Sequence, residues 1–173
     1  LLDILYKKEF ILFVVLVSIL IINSNISPYF LDLYNLIDST FLFSEKAIIA
    51  LTMTFVIIAR QIDLSVASII AVSSCVLGYT TSLGYDTWLV ISLTLLSGAL
   101  CGAFNGAIIT KFAIPSIIVT IGTMSLFRGL AYSFLEDSYY NKFPKLVSNL
   151  GGGYLFGYIP YAFLTFIILA IIF

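Results

Sequence analysis

The run Ile58-Ala59-Arg60-Gln61-Ile62-Asp63-Leu64-Ser65-Val66-Ala67-Ser68 places an arginine, a carboxylate and two hydroxyls between two long apolar stretches. Ionisable groups next to such stretches are costly at membrane depth, so they pair with one another or face water. Arg60 and Asp63 are three residues apart, which on a helix would put them on one face. Asp63 and Ser65 are also good amino-terminal caps for a following helix. Two readings are open at this point. In one, a helix is broken here, and Asp63 and Ser65 cap a half-helix beside a water-filled path. In the other, the run is a cytoplasmic turn between two ordinary spanning helices.

Polar residues recur in two later apolar stretches. Gly98, Gly102 and Gly106 follow each other at four-residue spacing, with Ala99, Ala103 and Ala107 beside them. This small-xxx-small pattern lets a neighbouring helix approach closely, and packing is its expected role. Asn105 shares that region, and its amide is expected to hydrogen-bond across the bundle, with lining of a substrate path as the other reading. Ser116, Thr120 and Thr123 fall on one helical face. Hydroxyls can be satisfied by their own helix backbone, so they are weak evidence alone. Arg128 says more, because a buried guanidinium needs a partner or water; it either snorkels to the outer interface or contacts substrate. The two cysteines, Cys75 and Cys101, lie inside apolar segments and read as small buried hydrophobes, so no disulfide framework follows.

These residues are held by a chain of unusual composition. Of 173 residues, 61% are hydrophobic and 10% charged, against roughly half and a quarter in soluble domains. Mean hydropathy is +1.15, more apolar surface than a soluble core of this length hides. The chain is therefore an integral membrane protein. Its net charge of -1 gives no electrostatic case for nucleic acid or an acidic substrate. Without histidine it lacks the commonest acid/base side chain and metal ligand; no cofactor is implied.

Six hydrophobic stretches are expected, near 10–22, 41–59, 64–83, 88–110, 115–135 and 154–173. Most approach the roughly 20 residues that a helix needs to cross the hydrocarbon core. The first follows Lys7 and Lys8 like a signal peptide, but no small-residue cleavage site follows it, and 23–28 reads as a polar turn. Gly84-Tyr85-Asp86 is a tight connection with Trp88 at an interfacial aromatic belt. Lys111-Phe112-Ala113-Ile114-Pro115 ends one helix and opens the next, with Pro115 at a first helical position. Residues 136–153, with Glu136, Asp137, Lys142, Lys145 and three glycines, read as a solvent loop. With the amino terminus inside, Lys7, Lys8, Arg60 and Lys111 fall on the cytoplasmic side and Lys46, Lys142 and Lys145 outside, a weak positive-inside bias. The expected fold is an all-α polytopic bundle of about six membrane segments, broken near 60–68. Because the chain stops at Phe173 inside an apolar run, 1–173 is expected to be one permease-like domain truncated at its carboxyl end.

Three motifs, in order, resemble a family. Arg60-Gln61-Ile62-Asp63-Leu64-Ser65-Val66-Ala67-Ser68 is similar to the (G/R)xIDLSV(G/A)S signature of bacterial sugar-uptake ABC transporter permeases of the ribose, xylose, rhamnose and autoinducer-2 type. Gly102-Ala103-Phe104-Asn105-Gly106 resembles their GxxNG segment. Ile114-Pro115-Ser116-Ile117-Ile118-Val119-Thr120-Ile121-Gly122-Thr123 and Phe127-Arg128-Gly129 resemble IPxxxxTLGT…RG. Arg60 and Ala67, where ribose-type members usually have glycines, lean toward the rhamnose or autoinducer-2 subgroup. The resemblance implies a permease subunit of the bacterial inner membrane that forms a translocation path with a second copy or a sibling. It further implies cytoplasmic ATPase subunits and a periplasmic sugar-binding protein as partners, with no chemistry in the subunit itself. Arg60, Asp63, Ser65, Asn105, Thr120, Thr123 and Arg128 are then path or helix-break candidates, and Gly98, Gly102 and Gly106 packing positions.

Other classes fit less well. A secondary transporter or channel could also use broken helices, but would want ion-coupling carboxylates in its helices, and Asp63 is the strong candidate. An intramembrane enzyme would need histidine, a G-x-S-x-G or paired intramembrane aspartates. Composition by itself leaves a non-transporting scaffold open.

Overall fold

The computed structural model describes residues 8–135 and 139–173. Five helices come first: α1 (Lys8–Ile26), α2 (Leu33–Ile58), α3 (Val66–Ser82), α4 (Thr87–Phe112) and α5 (Ser116–Leu135). A short α6 (Lys145–Gly152), the strands β1 (Tyr154–Leu155) and β2 (Ile159–Pro160), and α7 (Tyr161–Ile172) follow. The strands pair antiparallel, Tyr154 opposite Pro160. Helices α1, α2, α4 and α5 are long and apolar enough to cross a membrane, while α3 and α7 are shorter apolar helices. At the helical rise, the 17 residues of α3 cover about 26 Å and the 12 of α7 about 18 Å. The protein is thus the all-α polytopic bundle expected, with a small hairpin added.

Several boundaries differ from the sequence reading. The residues read as a polar turn after the first stretch continue α1 to Ile26, because Asn23 and Asn25 donate back to Ile19 and Ile21 carbonyls at 2.8 and 2.7 Å. Helix α2 starts at Leu33 rather than near 41, fixed by Asp32, whose carboxylate accepts the Tyr34 N–H. Asp86 does the same for α4 through the Trp88 N–H at 2.9 Å. Pro115 precedes α5 instead of opening it; its carbonyl accepts from Ile118 and Val119. Of the presumed solvent loop, 136–138, which holds Glu136 and Asp137, lies outside the described residues, as does Lys7. Part of the remainder, Lys145–Gly152, is helical. The last stretch opens as the hairpin, and its helix begins only at Tyr161.

Helix α3 packs against both α4 and α5, which also touch each other. The core between α3 and α5 is Val72, Cys75, Phe127 and Ala131, flanked by Cys101 and Leu135. Helix α2 packs instead on α7 and the hairpin. There Phe41 stacks on Tyr154, and the Tyr154 hydroxyl donates to Asp38 Oδ1 at 2.5 Å. Helix α1 buries no residue. Large apolar side chains stand exposed on every spanning helix, from Leu12 to Ile118. Water would not tolerate that surface, and lipid tails would.

Candidate functional site

The motifs 60–68, 102–106 and 114–123 converge at one end of the α3–α5 bundle. Helix α2 ends in a Schellman turn: Gln61 N–H reaches the Val56 carbonyl at 3.0 Å and Arg60 N–H the Ile57 carbonyl at 2.8 Å. Arg60 occupies its left-handed position, φ 57°, where glycine is usual. Arg60 and Asp63 therefore do not share a helical face; the chain between them is not helical.

Hydrogen bonds then strap the linker to its neighbours. Ile62 donates its N–H to Ser116 Oγ at 3.0 Å, and its carbonyl lies 3.3 Å from Thr120 Oγ1. Ser116 and Thr120 stand one turn apart on α5, so they meet both backbone groups of a single extended residue. Thr120 has one hydroxyl proton, and its 2.8 Å bond to the Ser116 carbonyl is the stronger of the two. Asp63 Oδ1 accepts from Ser65 N–H at 2.7 Å and from Ser65 Oγ at 2.6 Å. The Ser65 hydroxyl, its proton spent on Asp63, accepts from Asn105 Nδ2 of α4 at 2.8 Å. Ser65 stands at the N-cap of α3 but its side chain makes no cap bond, which corrects the capping role expected of it. Its carbonyl instead takes Ser68 N–H, Ile69 N–H and Ser68 Oγ.

This knot is dry. Ser65 and Ser68 are wholly buried, and Asn105, Ser116 and Thr120 nearly so. Its polar atoms find partners with one exception, Asn105 Oδ1, which has none among the described residues. Asp63 is only half-buried; it lines a groove of about 500 Å³ between α2 and α3, opposite Glu45 and Met53. A hydroxyl face on α5 was legible, but that Ser116 receives a backbone N–H from 54 residues upstream was not.

The other candidates stand apart from the knot. Thr123 is buried and bonds back to the Thr120 carbonyl at 3.4 Å. Arg128 lies further along α5, at the rim of a separate cavity. A Cβ on Gly98 would sit 3.2 Å from Ser73 Oγ of α3, so Gly98 does allow close packing. At Gly102 and Gly106 a Cβ would meet nothing within 4 Å among the described residues, so close packing on a neighbour is not seen there.

A multi-span helical membrane protein with a buried polar strap at a helix interruption is the class these features define. The chain belongs to the family described as branched-chain amino acid transport system / permease component, whose model matches residues 35–173. It is 39% identical over 121 residues to the Autoinducer 2 import system permease protein LsrD of Klebsiella pneumoniae, covering 70% of this chain and 36% of that one. It is 32% identical over 155 residues to the Ribose import permease protein RbsC of Haemophilus influenzae, covering 87% and 47%. A third relative, the Autoinducer 2 import system permease protein LsrC of Photorhabdus laumondii, is 30% identical over 157 residues, covering 89% and 47%. The chain thus spans less than half the length of these curated relatives. No solved structure matches it significantly.

Proposed function

We propose that this chain supplies membrane-spanning helices to the permease subunit of an ATP-binding-cassette importer for a sugar or a sugar-like signal compound such as autoinducer 2. The observation that carries this reading is the family match across residues 35–173, together with relatives named for ribose and autoinducer 2 import. The subunit would catalyse no covalent step. Cytoplasmic ATPase subunits would drive it, a periplasmic binding protein would deliver the solute, and a second permease subunit would complete the path. The amino terminus would face the cytoplasm of an inner-membrane, multi-pass subunit, which puts Lys8, Arg60 and Lys111 on that side.

In this reading the strapped linker serves to hold α3, α4 and α5 as one body. Irregular backbone near membrane depth is tolerated where protein satisfies it or where it borders a cavity, and 62–65 has both. Ile62 and Ser65 face Ser116 and Asn105, while Asp63 borders the groove toward α2. Asp63 thus fixes the turn with one oxygen and lines the groove.

The test is uptake of labelled ribose, rhamnose, xylose and autoinducer 2 by a bacterium lacking its own systems. The full-length permease is expressed with its neighbouring ATPase and binding-protein genes, with and without Asp63→Ala. ATPase-dependent uptake of one compound supports the proposal, and its loss in an Asp63→Ala protein that reaches the membrane places Asp63 in the mechanism. Uptake that persists without the ATPase and follows an ion gradient would replace the proposal with a secondary transporter.

A further inference from the structure

Helix α2 packs on α7 and the hairpin rather than along α3–α5, and the seam between the two groups holds a groove of about 500 Å³. Its walls include Glu45 and Ile48 of α2, Ile91 of α4, Leu150 of α6, and Ala162 and Thr165 of α7. Among the described residues the lining is otherwise apolar apart from Glu45 and the Thr165 hydroxyl. That hydroxyl is spent on the Ala162 carbonyl at 2.7 Å, which leaves Glu45 as the group that marks the groove chemically.

The groove lies at a definite depth. Ile91 and Thr165 each stand one turn after the first residue of their helices, Thr87 and Tyr161, about 6 Å along the axis. In α2, residues 33–40 include Asn35, Asp38, Ser39 and Thr40. Its apolar run therefore begins near Phe41, and Glu45 again stands one turn inside. Trp88, Phe156 and Tyr158 are exposed at this end of the molecule, as aromatic side chains are at a membrane–water boundary. The groove thus opens just below the headgroups of one leaflet, on the hairpin side and away from the knot.

Size and charge select the occupant. One turn of helix, about 5.4 Å tall and about 10–12 Å across, already takes about 400–600 Å³. A spanning helix does not fit into the groove, whereas an alkyl chain does. Glu45 is exposed there, and Lys46 does not answer it, because adjacent residues on a helix do not face each other. A carboxylate one turn inside the hydrocarbon needs a partner. We infer that the groove binds a phospholipid with an ethanolamine headgroup. Its alkyl chain lies between Ile48, Ile91 and Ala162, and its ammonium donates to the Glu45 carboxylate, a charge-assisted bond. A glycerol headgroup would instead set the uncompensated charge of its phosphate against Glu45. The site rests on the membrane-spanning fold and does not need the transport reading.

The test places the full-length protein in vesicles doped with phosphatidylethanolamine or phosphatidylglycerol, each carrying a photoreactive diazirine in one acyl chain. Cross-links are mapped by mass spectrometry. Helix α1, which buries no residue, reports bulk lipid and should be labelled equally by both probes. The ethanolamine probe should label Ile48, Ile91 and Ala162 about fivefold more than the glycerol probe, the upper end for an exposed ion pair. Glu45→Gln should abolish that preference and Glu45→Asp should keep part of it, with α1 labelling unchanged in both. Thr165→Phe, or Ile91→Trp if the first does not reach the membrane, should remove groove labelling by either probe. Groove residues that neither probe labels would mean that another segment or subunit covers them, which overturns the site. Equal labelling by the two probes would show bulk lipid only, and a preference that survives Glu45→Gln would remove the headgroup contact; either overturns the inference.

Discussion

Ser65→Ala tests the buried knot most directly. The substitution deletes one oxygen that donates to Asp63 Oδ1 at 2.6 Å and accepts from Asn105 Nδ2 at 2.8 Å. Asp63 keeps the Ser65 N–H, so the turn itself survives. Asn105, only 4% exposed, already has an unpartnered Oδ1 and would then lose the partner of its Nδ2 as well. In water-soluble proteins such an orphaned group costs about 1–3 kcal/mol. Inside membranes measured side-chain bonds average about 0.6 kcal/mol and reach about 1.7, because the unfolded reference also finds partners. The charged acceptor and the burial of Ser65 and Asn105 put this network at the upper end, so the loss should be about 1.5–2 kcal/mol. That corresponds to a fall of about 3 °C in the melting temperature of the purified full-length permease in detergent. Ser65→Thr, which keeps the hydroxyl, should fall less. The decisive arm is Asn105→Leu in the Ser65→Ala background. Removing both polar partners relieves the orphaned amide, so the double variant should lose less than the sum of the single losses. Additive losses, or a Ser65→Ala shift under about 1 °C, would refute the network.

Three further outcomes follow from the same coordinates. Arg60→Gly relieves a left-handed non-glycine residue, so it should raise stability by about 1 kcal/mol in a thermal melt, with Arg60→Val lowering it. Gly102→Ala and Gly106→Ala meet open space and should each stabilise α4 by about 0.5–1 kcal/mol. Gly98→Ala, pressed on Ser73, should not stabilise; a loss of permease assembly at Gly102→Ala on native gels would instead show that another chain or segment packs there. The Asp38 hydrogen bond holds the Tyr154 phenol above its ordinary value, with burial and the Asp38 charge adding to this. The tie is present below the ordinary phenol pKa of about 10 and is lost as pH rises through the raised one. Tyr154→Phe should therefore flatten the alkaline limb of a stability profile, and an unchanged limb would count against the tie.

The position of the knot was legible because Arg60 and Asp63 interrupt an apolar sequence, and that interruption needs a reason. Its wiring was not legible. Ser65 looked like a cap from its neighbours, but its hydroxyl is claimed by Asn105, 40 residues away, and no local pattern encodes that pairing. The glycine stripe promised packing along its length, yet burial depends on which helix lies alongside, and α3 reaches only Gly98. Residues 145–152 read as loop because they belong to the longest polar stretch, which ends in three glycines. A short helix is held by tertiary packing more than by propensity, and Val147 and Leu150 line the cavity against Phe41 and Ala162. The hairpin was hidden for a similar reason. Its tip puts Phe156 at φ 54° before Gly157 at φ 80°, a phenylalanine where asparagine or glycine would have signalled the turn.

The distribution of hydrogen bonds also divides the mechanical work of the linker. Side-chain bonds join α3 to α4 at Ser65–Asn105 and Ser73–Ser97, and join the linker to α5 at Ile62–Ser116. The bond from α2 to a distant partner runs elsewhere, from Asp38 to the hairpin at Tyr154. The half of the linker from Ile62 onward therefore belongs to the α3–α5 body, fixed by buried polar contacts that cost energy to break. Among the described residues, the half around Arg60 is held by backbone bonds of the α2 terminus, and it carries an unfavourable left-handed residue. If α2 and α7 shift against α3–α5, the change in dihedral angles falls at 59–61, where resistance is least. Substitutions at Ser65 or Asn105 would then act on the stability of the α3–α5 body, whereas those at Arg60 would act both on stability and on the ease of movement between the two groups of helices.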